Sequence, residues 1–118
     1  MSTLLMISLV TMSGLYCLAG ISHFLKPKMF IAITPKWVPY PHIMNVVVGA
    51  IEIALGVALL FETTRSLAAF GIIALLVAVF PANVKHFQIA LKKGKYVVAT
   101  FLRLPLQLLL IYWAYTFV

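Results

Sequence analysis

Among the polar side chains inside the long apolar runs, six could do chemistry: His23, Glu52, Asn83, His86, Arg103 and Gln107. Glu52 is nine residues past Ile43, where an apolar run begins. At about 1.5 Å per helical residue it lies roughly 14 Å deep, near the middle of a ~30 Å apolar layer. A carboxylate there must be neutralised or paired. The cation available within a helix is Arg103, six residues past Val97 and so roughly 9 Å deep, with Gln107 one turn further along the same face. This set has donors for a carbonyl oxygen in Arg103 and Gln107, and a carboxylate that either holds Arg103 or relays a proton.

Spacing supports two facing stripes. Asn45, Gly49, Glu52 and Gly56 recur at i, i+4, i+7 and i+11, while Thr100, Arg103 and Gln107 recur at i, i+3 and i+7. Tyr16, Gly20 and His23 align on the first apolar run, and Asn83 with His86 on the third. Side chains tilt toward their own helix N-terminus, so in an antiparallel bundle His23, Asn83 and His86 lean inward as Glu52, Arg103 and Gln107 lean back toward them. One polar cluster is expected, with His23, Asn83 and His86 lining its entrance. Pro81 and Pro105 each remove an N–H and free a carbonyl one turn earlier, at Val77 and Phe101.

Other chemistries lack their parts. The single cysteine, Cys17, forms no CxxC pair, and no activated serine or paired carboxylate is visible, so the chain shows no catalytic motif. Three histidines without a second thiol or a nearby second carboxylate make a poor zinc site, and no metal is expected. His23 and His86 are the pair that would span a haem, but both suit helix-end hydrogen bonding better. The Glu52–Arg103 pair itself reads first as an interhelical clamp, although an intramembrane ion pair is also a functional signal. Gly49, Gly56, Gly71, Ala74 and Ala78 read as small residues for close helix approach, which also permits association of copies.

The elements that position these groups follow from composition. Of 118 residues, 64% are hydrophobic and 9% charged, which excludes an ordinary water-soluble domain. Apolar runs at 4–25, 43–61, 67–86 and 97–118 predict an all-α, integral-membrane, antiparallel four-helix bundle forming a single domain over 1–118. The first run lacks a basic n-region and is read as a retained helix rather than a signal peptide. Between the first two runs, Pro27, Pro35, Pro39 and Pro41 forbid a long helix. There Phe30, Ile33 and Trp37, at i, i+3 and i+7, predict a short interfacial segment that lids one end. All seven lysines fall in two stretches, Lys26, Lys28, Lys36 and then Lys85, Lys92, Lys93, Lys95. The positive-inside rule puts both on the cytoplasmic side and both termini outside; the membrane expected is a bacterial plasma membrane. The net charge of +7 is accounted for by that asymmetry, with no basic stripe for nucleic acid.

The ordered set Gly20, His23, Phe24, Pro27, Phe30, Pro35, Pro39, Glu52, Gly56, then Phe80-Pro81-Ala82-Asn83 and Arg103-Leu104-Pro105-Leu106-Gln107, resembles the DoxX-like family of small four-helix membrane proteins. The last two segments are its specific part. The resemblance implies an antiparallel four-helix bundle and carries family-typical polar positions onto His23, Glu52, Asn83, Arg103 and Gln107. It implies varied roles: membrane subunits associated with quinone-linked sulfur oxidation or oxidative-stress complexes, and, in a distant branch, a receptor-assembly chaperone.

The resulting expectation is an accessory subunit of a membrane redox system that holds a quinone-like ligand, or docks a redox protein, at the polar cluster. The alternatives are a non-catalytic assembly factor or chaperone, and, third, a small proton-linked carrier titrating at Glu52.

Overall fold

The computed structural model describes residues 2–118, which form five α-helices and no strand. α1 (Thr3–Leu25) opens on Ser2, whose side chain accepts the Leu5 N–H at 3.2 Å. It stops at a proline. Lys26 leaves helical geometry at φ −130°, and Pro27 becomes the first residue of α2 (Pro27–Ala32). α3 (Pro41–Leu59) also begins on a proline, after Tyr40 in the left-handed region at φ 49°. α4 (Glu62–Lys93) and α5 (Val97–Tyr115) complete the chain.

The boundaries differ from the apolar runs where charge and capping decide. α4 is 32 residues long instead of covering only 67–86. Glu62 in its first turn and Lys92 and Lys93 in its last complement the helix dipole. Gly94, at φ 69°, then ends it, its N–H reaching the Ala90 carbonyl at 2.8 Å. Much of the stretch expected as a lysine-rich loop is therefore helix. Pro81 sits inside α4 without ending it. At the other end, α5 stops at Tyr115 rather than 118. The expected interfacial segment is helical only over Pro27–Ala32. Ile33 is its C-cap, and Trp37 lies beyond it, exposed. This first loop is tied to α4 by Lys85, whose Nζ donates to the Thr34 carbonyl.

Four helices, α1, α3, α4 and α5, are long and apolar enough to cross a membrane. α1 packs on α3, α3 on α4, and α4 on α5. The two-residue turn between α3 and α4 and the three-residue turn before α5 make neighbours antiparallel. The seam between α1 and α5 is stitched far from the lysines, where Trp113 Nε1 donates to Ser8 Oγ at 2.8 Å. The molecule measures 46 × 29 × 22 Å, so its long axis exceeds the ~30 Å thickness of a hydrocarbon layer.

The interior is divided by chemistry. The apolar core of Leu9, Met12, Tyr16, Leu59, Ala68, Ala69, Ile72, Leu76, Ala114 and Phe117 fills the half away from the lysines. Apart from Ser13, the buried polar residues lie from the middle of the bundle toward the other end. Outside, Leu4, Ile43, Val98, Leu108 and Leu109 are exposed, a surface suited to lipid and not to water.

Candidate functional site

The polar residues form two clusters rather than one. The first lies between α1 and α3 and is set by glycines. A Cβ placed on Gly20 would come within 2.5 Å of the Gly49 carbonyl, and one on Gly49 within 2.9 Å of His23 Cβ. One on Gly56 would come within 2.9 Å of the Ser13 carbonyl, and Ser13 Oγ donates to the Gly56 carbonyl at 2.6 Å. The two backbones thus touch, which only glycine permits. That contact turns the buried face of Asn45, Gly49, Glu52 and Gly56 toward α1.

On this seam Asn45 Nδ2 donates to the His23 carbonyl at 2.8 Å, while Asn45 Oδ1 lies 2.7 Å from His23 Nδ1. The amide orientation assigns the tautomer: its oxygen faces Nδ1, so Nδ1 carries a proton and donates. His23 Nε2 is left facing Glu52 Oε1 at 3.4 Å. One proton then serves both atoms, as neutral imidazole with carboxylic acid or as imidazolium with carboxylate, and either state is neutral overall, as burial demands. Phe30 from α2 stacks on the His23 ring, with centroids 3.8 Å apart.

The other oxygen of Glu52, Oε2, is buried with no hydrogen-bond partner. Glu52 lines a groove of about 550 Å³ between α1 and α5. Its walls are Leu15, Tyr16 and Ala19 of α1, Leu76 of α4, and Leu106, Leu109, Leu110 and Trp113 of α5. Leu15, Leu106 and Leu109 are exposed, so the groove opens sideways toward lipid.

The second cluster joins α4 to α5. Asn83 Nδ2 donates to Gln107 Oε1, and Gln107 Nε2 donates to the Leu76 carbonyl. The proline-bearing stretch of α4 does draw a side-chain donor, to Leu76 rather than to the expected Val77. Nearer the lysine end, Arg103 Nη1 donates to His86 Nδ1 at 3.1 Å. Gln107 is buried, Asn83 and His86 are half-buried, and Arg103 is exposed.

The expected Glu52–Arg103 pair does not form. α3 packs against α1 and α4, its polar face given to α1 by the glycines, whereas α5 packs against α4. Glu52 takes His23, and Arg103 takes His86. The opposed tilts do bring His23 to Glu52 and Asn83 and His86 to Gln107 and Arg103, but as separate sets. A haem between His23 and His86 has no free ligand pair, since His23 engages both ring nitrogens and His86 Nδ1 accepts from Arg103. Among the described residues, no group of three or more His, Cys, Asp or Glu is placed to hold a metal ion.

Three contributors stood outside the expected cluster. Asn45 lies on the polar stripe of its helix, about two turns before Glu52, so its face is legible, but its pairing with His23 is not. Tyr16 shared a face with His23, without a sign that it walls a groove. Phe30 had interfacial spacing that did not reveal its stacking on the imidazole.

No curated protein and no solved structure matches the chain. Over residues 12–118 it matches, and it therefore belongs to, the family described as domain of unknown function DUF8561.

Proposed function

We propose that this protein is an accessory membrane subunit that holds a lipophilic, carbonyl-bearing ligand of the quinone class in the groove between α1 and α5. The observation that carries the reading is Glu52 Oε2, a buried polar atom without a hydrogen-bond partner, on a residue that lines a groove walled mainly by leucines with Tyr16, Ala19 and Trp113. Such an atom is costly unless something completes it. While the shared proton lies between His23 Nε2 and Glu52 Oε1, Oε2 is an acceptor and takes a hydrogen bond from a hydroquinone hydroxyl; with that proton carried on Oε2 instead, it donates to a quinone carbonyl. Asn45 keeps the His23 ring in place in both states. The leucine walls suit an isoprenoid or alkyl tail.

Arg103 and Gln107 are not the carbonyl donors in this reading, because they engage His86 and the Asn83–Leu76 pair. The resemblance to the DoxX-like family agrees with a quinone-linked setting, in which a redox protein docked on the bundle exchanges the electrons. The reading puts the protein in a bacterial plasma membrane, with the lysine-rich end on the cytoplasmic face by the positive-inside rule.

The test is thermal protection of the purified protein by a decyl-substituted benzoquinone. Protection is expected in the wild type and lost in Glu52→Leu and in Ala19→Phe, which fills the groove. A wild-type protein with no protection refutes the reading. The tight α1–α3 seam favours a second reading, a non-catalytic assembly factor in which the cluster only stiffens the bundle. It predicts that Glu52→Leu still copurifies its partner protein.

A further inference from the structure

Arg103 is an exposed cation six residues into an apolar helix, and the chain supplies it with no anion. The sequence holds two acids. Glu52 faces His23 across the α1–α3 seam, and Glu62 opens α4 at the end opposite the lysines. What Arg103 does have is His86, and a guanidinium only donates. His86 must accept through Nδ1, so its own proton sits on Nε2. The remaining guanidinium donors and this Nε2–H have no hydrogen-bond partner among the described residues.

The surroundings sharpen the demand for an anion. Lys26 and Lys28 stand at the start of α2, Lys36 in the turn after it, Lys92 and Lys93 at the end of α4, and Lys95 just before α5. Arg103 therefore belongs to an end of the bundle with many cations and no acid. A long basic side chain at this depth reaches back along its helix toward the headgroup layer. There the anion within reach is a phosphate, and a guanidinium fork with a neighbouring N–H donor fits its oxygens.

We propose that Arg103 and His86 form a binding site for the phosphate of an anionic phospholipid headgroup, held against the outer face of the α4–α5 pair. The lysines select an anionic lipid over a zwitterionic one by surplus charge, while Arg103 and His86 fix its phosphate. This site is separate from the groove at Glu52 and does not depend on that groove's occupant.

The chain has two arginines, Arg65 and Arg103. Arg65 lies at the opposite end, its Nε donating to the Leu59 carbonyl at 3.0 Å, and serves as the control. Protein equilibrated with mixed phosphatidylglycerol and phosphatidylcholine is analysed by native mass spectrometry. Wild type and Arg65→Gln are expected to retain phosphatidylglycerol, with retention about tenfold weaker in Arg103→Gln from loss of a charge-assisted bond. Millimolar inorganic phosphate is expected to leave the lipid bound. Equal retention by Arg103→Gln, equal retention of phosphatidylcholine, displacement by inorganic phosphate, or an acidic polypeptide copurifying in place of lipid and lost in Arg103→Gln would each overturn the assignment. Because Arg103→Gln puts folding at risk, wild-type protein with ¹⁵N-labelled arginine in phosphatidylglycerol bilayers gives a second measurement. Solid-state dephasing by ³¹P is expected for the Arg103 guanidinium, and its absence overturns the site.

Discussion

His23 Nε2 faces Glu52 Oε1 at 3.4 Å across a seam where α1 and α3 touch backbone to backbone. Neither residue has another charged neighbour in ion-pair range among the described residues. Each is buried, so each depends on the other for its charge balance.

Removing one partner should therefore cost more than removing both. His23→Leu strands a buried carboxyl and is expected to lose about 3 kcal/mol of stability. The double variant His23→Leu with Glu52→Leu should recover a large part of that loss. Reversible unfolding in mixed micelles, run as a double-mutant cycle, measures the coupling. Additive losses would show that the two side chains act alone.

The glycines make a sharper steric prediction. Gly49→Ala forces a methyl against His23 and the Gly20 carbonyl, and is expected to cost about 2 kcal/mol from overpacking. Gly14, in the same bundle, has open space where its Cβ would be. Gly14→Ala should be neutral or stabilising by up to about 1 kcal/mol, since alanine is the better helix former. Melting temperatures of the two variants, compared in one detergent, check the contrast.

Gln107 joins Asn83 to the Leu76 carbonyl beside the proline-bearing turn of α4. Gln107→Leu removes both bonds and leaves Asn83 without its partner, a loss of about 2 kcal/mol. Asn83→Ala should cost about half as much, because Gln107 keeps the carbonyl. Equal losses would mean that the Asn83 bond carries the whole effect.

The seam between α1 and α5 gives a fourth expectation. Trp113→Phe keeps most of the ring packing but removes the bond to Ser8. It should cost about 1 kcal/mol and loosen that seam. Cysteine cross-linking between the start of α1 and the end of α5 should become slower, while cross-linking between α1 and α3 should not change.

Much of this architecture was legible because membrane helices announce themselves. Long apolar runs broken by prolines or charges yield four helices long and apolar enough to span a membrane, and their antiparallel order. The stripe of Asn45, Gly49, Glu52 and Gly56 was legible too, since helical periodicity puts those positions on one buried face. Which helix that face meets was not. A periodicity argument fixes an angle around one axis and says nothing about the neighbour, so charge alone directed Glu52 to Arg103. The glycine contacts of α1 and α3 overrode that attraction by bringing the backbones closer than any larger residue would allow. The length of α4 was hidden for a different reason, because lysines that look like loop residues also stabilise a helix C-terminus.

The stitch from Trp113 to Ser8 has a kinetic consequence. With the two outer helices pinned at one rim and parted lower down, a hydrophobic guest of the proposed kind would arrive by drifting within its own leaflet, tail already solvated, and never cross an aqueous vestibule. Its exchange would then follow the viscosity of the bilayer rather than the guest's solubility in water.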